Sequence, residues 1–287
     1  MVNLIFKPQF NLAVTHYVSF LPYGYNVVYL NVPNAMLFDV NGGFKARYSH
    51  LSQYDAYVDL HSVMHGTNPI LTNALQKLDK VDVPIVPLYL AQNRVEYSAA
   101  TKEQILVIGS LWGCNRDSLR MKLALKALAE DDLLIAYGLE DSLGFLKEKY
   151  KGSIESFAEV NVRESLLQLQ KKYGISLVVH NLEHMIEGFP TSRIAESIAA
   201  GALVISDQHP FIKKYFGDNV LYFDSLTDSD SIYKQIKGHA EWIRQNPETA
   251  ETMTRAAYDI FMTEFALEDQ LHKLYNSLIS KSLFTIP

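Results

Sequence analysis

Apolar positions along the chain alternate between short β-branched runs and longer stretches with a helical repeat, and that alternation predicts an α/β fold. Residues 2–6, 26–31, 54–62 and 83–90 read as strands of a first series, the last interrupted by prolines. Residues 68–78 read as a helix with Pro69 in its first turn. Residues 92–101 are polar and read as a linker. A second series follows, with strands over 104–108, 133–137, 175–179, 203–206 and 220–223. Helices fall between them over 116–129, 144–150, 163–173 and 212–216. The chain closes in helices over 229–246, 247–265 and 267–283.

The richest stretch is 187–207. A Gly/Pro/Thr/Ser loop opens a helix near Arg193, and the helix stops at Gly201 before a buried strand. At about 100° per residue, Ile194, Ala195, Ile198 and Ala199 share one face, while Arg193, Glu196 and Ala200 share the other. A loop feeding a helix N-terminus suits an anion, because the first N–H groups of a helix lack intrahelical partners. Two carboxylates, Glu187 and Glu196, flank the loop and suit a ligand with both phosphates and hydroxyls. An exposed Arg193–Glu196 ion pair is the plainer alternative.

With 287 residues and 48% hydrophobic content, the chain has material for two cores. Its net charge of −6 argues against nucleic acid as partner. Cys114 is the one cysteine, which excludes an internal disulfide and a multi-cysteine metal site. No 18-residue apolar run and no basic-then-apolar leader is present, so the expected location is cytoplasmic, with peripheral contact at the inner face of a membrane left open. In open α/β sheets ligands sit outside the carboxyl ends of strands. Gly109–Asn115, Tyr137–Gly138, His180–Ser192 and Asp207 fall at such ends and converge if the strands share one parallel sheet.

The ordered pattern Val107–Ser110, Leu134–Gly138, 150–154, 176–179, Glu187-Gly188-Phe189-Pro190 and 196–206 resembles the nucleotide-binding domain of GT-B glycosyltransferases, in the large, mostly retaining, glycogen-synthase-like set. The resemblance covers about residues 104–224. It implies two Rossmann-like domains facing a cleft, with a helical C-terminal tail. The expected division is an acceptor-side domain over 1–100, a nucleotide-sugar domain over 101–265, and a C-terminal helix over 266–287 that can cross back to the first.

By the same resemblance, Glu196 takes the ribose hydroxyls, and Glu187, Gly188 and Phe189 face the donor sugar. Thr191 and Ser192 meet the diphosphate, Gly109 and Ser110 form the first phosphate-side loop, and the turn with Ser153 and Ile154 borders the base. Arg116 and Arg193 are the favoured cations. Glu187, His184 and His180 are the catalytic candidates. The chain departs from the family in having eight residues between its two acids rather than seven, and its Ser-Arg-x-x-Glu stretch resembles a divergent branch.

The implied activity moves a sugar from a UDP-, GDP- or ADP-sugar to a glycan, a lipid-linked sugar or a protein, with retention and with no cofactor required. The alternative is a non-catalytic nucleotide-sugar or carbohydrate-binding protein on the same fold. A remote alternative is a zinc peptidase, since His180-Asn181-Leu182-Glu183-His184 fits an H-x-x-E-H pattern. In the first half His16, His61 and His65 are candidate bases or structural histidines. Tyr17, Tyr23, Tyr25 and Tyr29 line a sugar site or simply pack.

Overall fold

The computed structural model describes residues 4–5, 10–14, 25–89, 92–100, 102–109, 118–138, 140–152 and 162–280, with 4–5, 10–14, 25, 118 and 162–165 described by backbone alone. The chain divides into two compact units. One holds 1–90, 186–189 and 267–287, and the other holds 91–185 and 190–266.

The first unit is built on a sheet of β1 (Leu4–Ile5), β2 (Phe10–Val14), β3 (Tyr25–Leu30), β4 (Ala56–Asp59) and β5 (Ile85–Val86), in that spatial order. β1 runs antiparallel to β2, and the other neighbours are parallel. β4 is buried on both faces, as a central parallel strand should be. Val28, Leu30, Tyr57, Leu71 and Leu75 form the core with Tyr54.

The strand expected over 54–62 is shorter. It ends at Asp59, and His61–His65 turns into a short helix, α2. Asp59 causes the break: its Oδ2 accepts from the Ser62 amide at 3.0 Å and starts the helix. Ahead of it lie α1 (Asn34–Leu37) and a 3-10 helix at Ala46–Gln53, which the apolar pattern does not reveal. Next comes α3 (Pro69–Gln76), capped by the Asn68 side chain, which accepts from Leu71 N. The closing helix of the chain, α12 (Leu267–Ser280), belongs to this unit.

The second unit holds a fully parallel sheet of β6 (Gln104–Gly109), β7 (Leu134–Gly138), β8 (Gly174–Val178), β9 (Leu203–Asp207) and β10 (Leu221–Phe223), ordered β10-β9-β8-β6-β7. Side chains alternate across it with period two. Ile105, Val107, Leu134 and Ala136 enter one core with residues of α4 (Ser118–Glu130) and α10 (Ser229–Gln245). Leu106, Ile135 and Tyr137 enter another with Leu166 of α6 (Val162–Tyr173). Burial on both faces explains the continuous apolar runs that marked these strands.

Between β7 and α6 lie α5 (Glu140–Leu143) and a 3-10 helix, Gly144–Lys149, where a single helix over 144–150 was expected. Lys147, at φ 51° and ψ −117°, breaks the continuity. Among the described residues the remaining helices are α7 (Leu182–Glu187), α8 (Ser192–Ala199), α9 (Pro210–Phe216), a 3-10 helix at Gly217–Asn219 and α11 (Pro247–Glu264).

The polar stretch 92–100 is packed into the second unit rather than left as a free linker. Tyr97 hydrogen-bonds Glu251, and Lys102 pairs with the same carboxylate at 2.6 Å. Gly201, at φ +73°, lies so close to the Ser98 carbonyl that a Cβ there would sit 2.4 Å from the oxygen.

Candidate functional site

Strand order places the site. After β6 the chain builds β7 on one side, then returns to build β8 on the other, so the order reverses between β6 and β8. In open parallel sheets the connections leave such a point in opposite directions and open a crevice at the carboxyl ends. A cavity of about 230 Å³ lies there. Ile108 and Gly109 line it from β6, Leu177, Val178 and Val179 from β8, and Thr191, Ser192 and Arg193 from the start of α8.

α8 presents its N-terminal end to this cavity. Thr191 is its N-cap residue, extended at φ −74° and ψ 155°, and its side chain makes no capping bond. The first N–H groups of a helix carry partial positive charge, so the cavity end is suited to an anion. The opposite face of α8 is apolar and buried through Ile194, Ala195, Ile198 and Ala199. Ser197 pins the helix, donating to Arg193 O at 2.6 Å and sharing a bond of 2.8 Å with Ser176 Oγ of β8.

Arg193 and Glu196 form their i,i+3 ion pair, with 12% of the Glu196 side chain exposed. The guanidinium Nε also lies 4.0 Å from where a Gly109 Cβ would stand. Arg193 therefore spans from the end of β6 to Glu196. Gly138 sits one strand further along. It is buried, and a Cβ there would fall 1.9 Å from the Gly109 carbonyl oxygen. The structure gives Gly138 a packing role at the β6–β7 ends, where a ligand contact was expected.

His180 follows β8 and is enclosed. Its Nδ1–H donates to Asp207 Oδ1 at 2.8 Å, and its amide donates to Asp207 Oδ2 at 2.6 Å. Both side chains are fully buried. The His180 ring also packs on His209, with centroids 4.1 Å apart. His180, expected as a catalytic candidate, is thus found enclosed and held by Asp207.

His209 accepts from Phe211 N through Nδ1 and therefore donates through Nε2 to His184 O, at 3.1 Å. Burial, then the neighbouring His180, pushes the His209 imidazole down to about 3, so it stays neutral across the physiological range. His184 itself is half-buried on α7, where a loop was expected, and its amide donates to Asn181 Oδ1 at 2.8 Å. Composition and spacing gave no sign of His209 or Asn181. Both act through contacts that need the assembled strand ends.

The peptidase pattern is not assembled. It requires both histidines on one helix face, but α7 begins at Leu182 and His180 is committed to Asp207. Among the described residues no cluster of three or more histidine, cysteine or acidic side chains suits a metal ion.

Glu187 ends α7 and belongs to the first unit with Gly188 and Phe189. Its Oε2 accepts from Asn34 N at 2.6 Å and its Oε1 from Ala35 N at 3.0 Å. His61 Nδ1 lies 3.5 Å from Oε2, and His65 Nε2–H donates to the Glu187 carbonyl at 2.9 Å. Burial opposes ionisation of Glu187, but His61 and the Ala35 and Asn34 amides outweigh it and hold the carboxyl below its usual range. Gly188 turns at φ +63° beside Met64, and Phe189 is buried. Ser110, Arg116, Ser153, Ile154, Cys114, His16, Tyr17 and Tyr23 lie outside the described residues, and Tyr25 is described by backbone alone.

Known proteins share this fold. Residues 148–276 match the glycosyl transferase-like family. Similar solved structures include Staphylococcus aureus TarM, in complex with fondaparinux, α-GlcNAc-glycerol and UDP, at TM-score 0.54 and 12% identity, covering 89% of this chain and 51% of that one. The pneumococcal O-GlcNAc transferase GtfA, in complex with UDP and GlcNAc, aligns at TM-score 0.54 and 17% identity over 90% of this chain and 53% of that one. The fold is GT-B. Anabaena Alr3699/HepE, in complex with UDP and glucose, adds a third GT-B neighbour at TM-score 0.56 and 13% identity, covering 90% and 72%. This chain thus spans about half the length of TarM and GtfA. No curated protein matches it.

Within the GT-B frame, Gly109, Thr191, Ser192 and Arg193 meet at one cavity and Glu196 stands behind them, tied to Arg193. Among the described residues no helix is long and apolar enough to cross a membrane.

Proposed function

We propose that the chain transfers a sugar from a nucleoside diphosphate donor to a glycan or lipid-linked acceptor, with the donor held by the second unit. One observation carries this reading: the N-terminus of α8 opens into a cavity at the strand-order reversal of a parallel sheet, with Arg193 and Glu196 on its polar face. The glycosyl transferase-like match over 148–276 and the UDP held by TarM, GtfA and Alr3699/HepE support it.

The chemistry follows from charge. Breaking the bond between the anomeric carbon and the phosphate oxygen leaves a negative charge on the diphosphate. In this reading the α8 N–H groups and Arg193 stabilise that charge, as preorganised donors at a leaving group do. A guanidinium has five N–H donors, so Arg193 can keep Glu196 while meeting a phosphate oxygen. Glu196, as an acceptor-only group, suits vicinal ribose hydroxyls. The reading extends to retention of configuration, by attack on the same face assisted by the departing phosphate.

Calorimetry against UDP-, GDP-, ADP-, dTDP- and CMP-sugars tests the donor. One class should bind in the micromolar range, and Glu196→Gln should weaken it about tenfold or more. Binding of no class, or wild-type affinity in the variant, refutes the assignment. Proton NMR of the product's anomeric signal reads the stereochemistry. Donor binding with neither transfer nor donor hydrolysis would identify a nucleotide-sugar-binding protein instead.

A further inference from the structure

The Glu187 carboxylate lies at the outer end of a buried polar chain. Asp59, at the end of β4, accepts through Oδ2 from the Ser62 amide at 3.0 Å and the Ser62 hydroxyl at 2.5 Å. Its Oδ1 accepts from Asn68 Nδ2 at 3.1 Å. Asn68 and Asn34 exchange reciprocal amide bonds of 3.1 Å, and Asn68 Oδ1 also accepts from Leu71 N. Asp59, Ser62, Asn68 and Asn34 are each at most 4% exposed. The Asn34 backbone amide then donates to Glu187. A buried polar network with its groups paired is rigid and resists substitution.

α1 needs this partner. Its N-cap residue is Pro33, which supplies no side-chain cap. Glu187 caps it from 153 residues away and spends both carboxylate oxygens doing so. The carbonyl of the same residue is held by His65, whose ring packs on His61 with centroids 4.4 Å apart. Side chain and backbone of one residue are thus both anchored. Only 13% of the Glu187 side chain is exposed, which leaves little of it for a sugar hydroxyl.

We propose that Glu187 is a positioning residue: it clamps segment 186–189 to α1 and α2, and through Phe189 and Pro190 fixes the conformation of Thr191 and Ser192 before any ligand arrives. The proposal rests on α8 being the diphosphate site. It replaces a sugar-facing role for this acid, and it accounts for the extra residue between Glu187 and Glu196. With Glu187 withdrawn to α1, the segment has to bridge from the clamp to the helix start.

The 287-residue chain and its Glu187→Gln variant decide it, with two readouts. Hydrogen exchange without ligand should rise about tenfold or more at the Asn34 and Ala35 amides, since a glutamine can accept only one of the two bonds. Affinities for UDP and for UDP-glucose should fall by the same factor, threefold or more, because the loop and not the sugar is disturbed. His65→Ala should repeat the equal loss and His65→Gln, which keeps a donor, should restore it. His65→Ala also serves if Glu187→Gln does not fold.

A loss confined to UDP-glucose, with UDP affinity intact, overturns the proposal in favour of sugar contact. Raised exchange with both affinities unchanged overturns the coupling to α8. If the wild-type chain binds neither probe, the nucleotide and nucleotide sugar that bind in the calorimetric panel take their place; binding of no class fells the donor reading, and the exchange result alone then upholds or overturns the clamp.

Discussion

Replacing Asp207 with valine should test whether the ends of β8 and β9 are welded by a single buried carboxylate. Asp207 accepts from His180 N at 2.6 Å, His180 Nδ1 at 2.8 Å and Ser206 Oγ at 3.3 Å, with both paired side chains fully buried. Valine fits a strand and is close in volume, so packing changes little. Two buried N–H groups of His180 lose their acceptor. At about 1–3 kcal/mol for each orphaned group, the loss is about 2–6 kcal/mol. That is a large share of the roughly 5–15 kcal/mol that holds a domain together. At about 2–4 °C per kcal/mol for a unit of this size, the melting midpoint should fall by roughly 10 °C.

The sharper measurement is a cycle. His180→Leu alone leaves the carboxylate buried without its imidazole. The double variant removes both side-chain partners and leaves the residue-180 amide and the Ser206 hydroxyl without the carboxylate. Urea unfolding followed by far-UV circular dichroism should therefore give a double variant less destabilised than the sum of the singles, by about 1.5 kcal/mol or more. Additivity within about 0.5 kcal/mol would refute a coupled pair. A loss below about 1 kcal/mol in Asp207→Val alone would refute the weld.

Gly138→Ala places a Cβ 1.9 Å from the Gly109 carbonyl oxygen, which cannot yield without parting β6 from β7. It should cost about 3 kcal/mol or more in chemical denaturation, while Gly217→Ala, which meets nothing within 4 Å, should cost less. Arg193→Met should keep the helix, since methionine is a good helix former, but weaken nucleoside diphosphate binding about tenfold or more by calorimetry, with the loss shrinking as salt rises. For Glu187 the sign is worked from its lowered folded value. Its contribution is fully present above the unfolded value near 4.5 and is lost as pH falls through the lower folded one. The stability gap between wild type and Glu187→Gln should stay constant from neutral pH to about 5 and close below it, as followed by urea titrations at each pH. A gap unchanged at pH 3 would contradict the assigned contacts.

What could be read from the chain followed what each residue does locally. The strands of the second unit were legible because burial on both faces writes continuous apolar runs, such as Ile105–Val107 against Leu134–Tyr137. α8 was legible because its faces separate cleanly within two turns, and its Ile194/Ile198 face is buried as the angles require. The segments 34–37 and 182–187 were not, being too short to write a period, and 46–53, as long as α8, was not because it is a 3-10 helix, whose turn of about three residues departs from the α-helical repeat.

The site divides the same way. Arg193 and Glu196 share a helix, so spacing alone brings them together. Glu187 meets Asn34 across 153 residues and His180 meets Asp207 across 27, and no local pattern encodes such partners. The acidic spacing held the one available clue. A residue added between two acids of a ligand loop must be absorbed by turning one acid away from the ligand or by bulging the loop. Glu187 facing the α1 amides and Gly188 in a left-handed turn are what the first solution looks like. The strand-order reversal had no local clue at all. It emerges only when β6 pairs with both β7 and β8, and it converts a generic helix terminus at α8 into a site with a reason to be there.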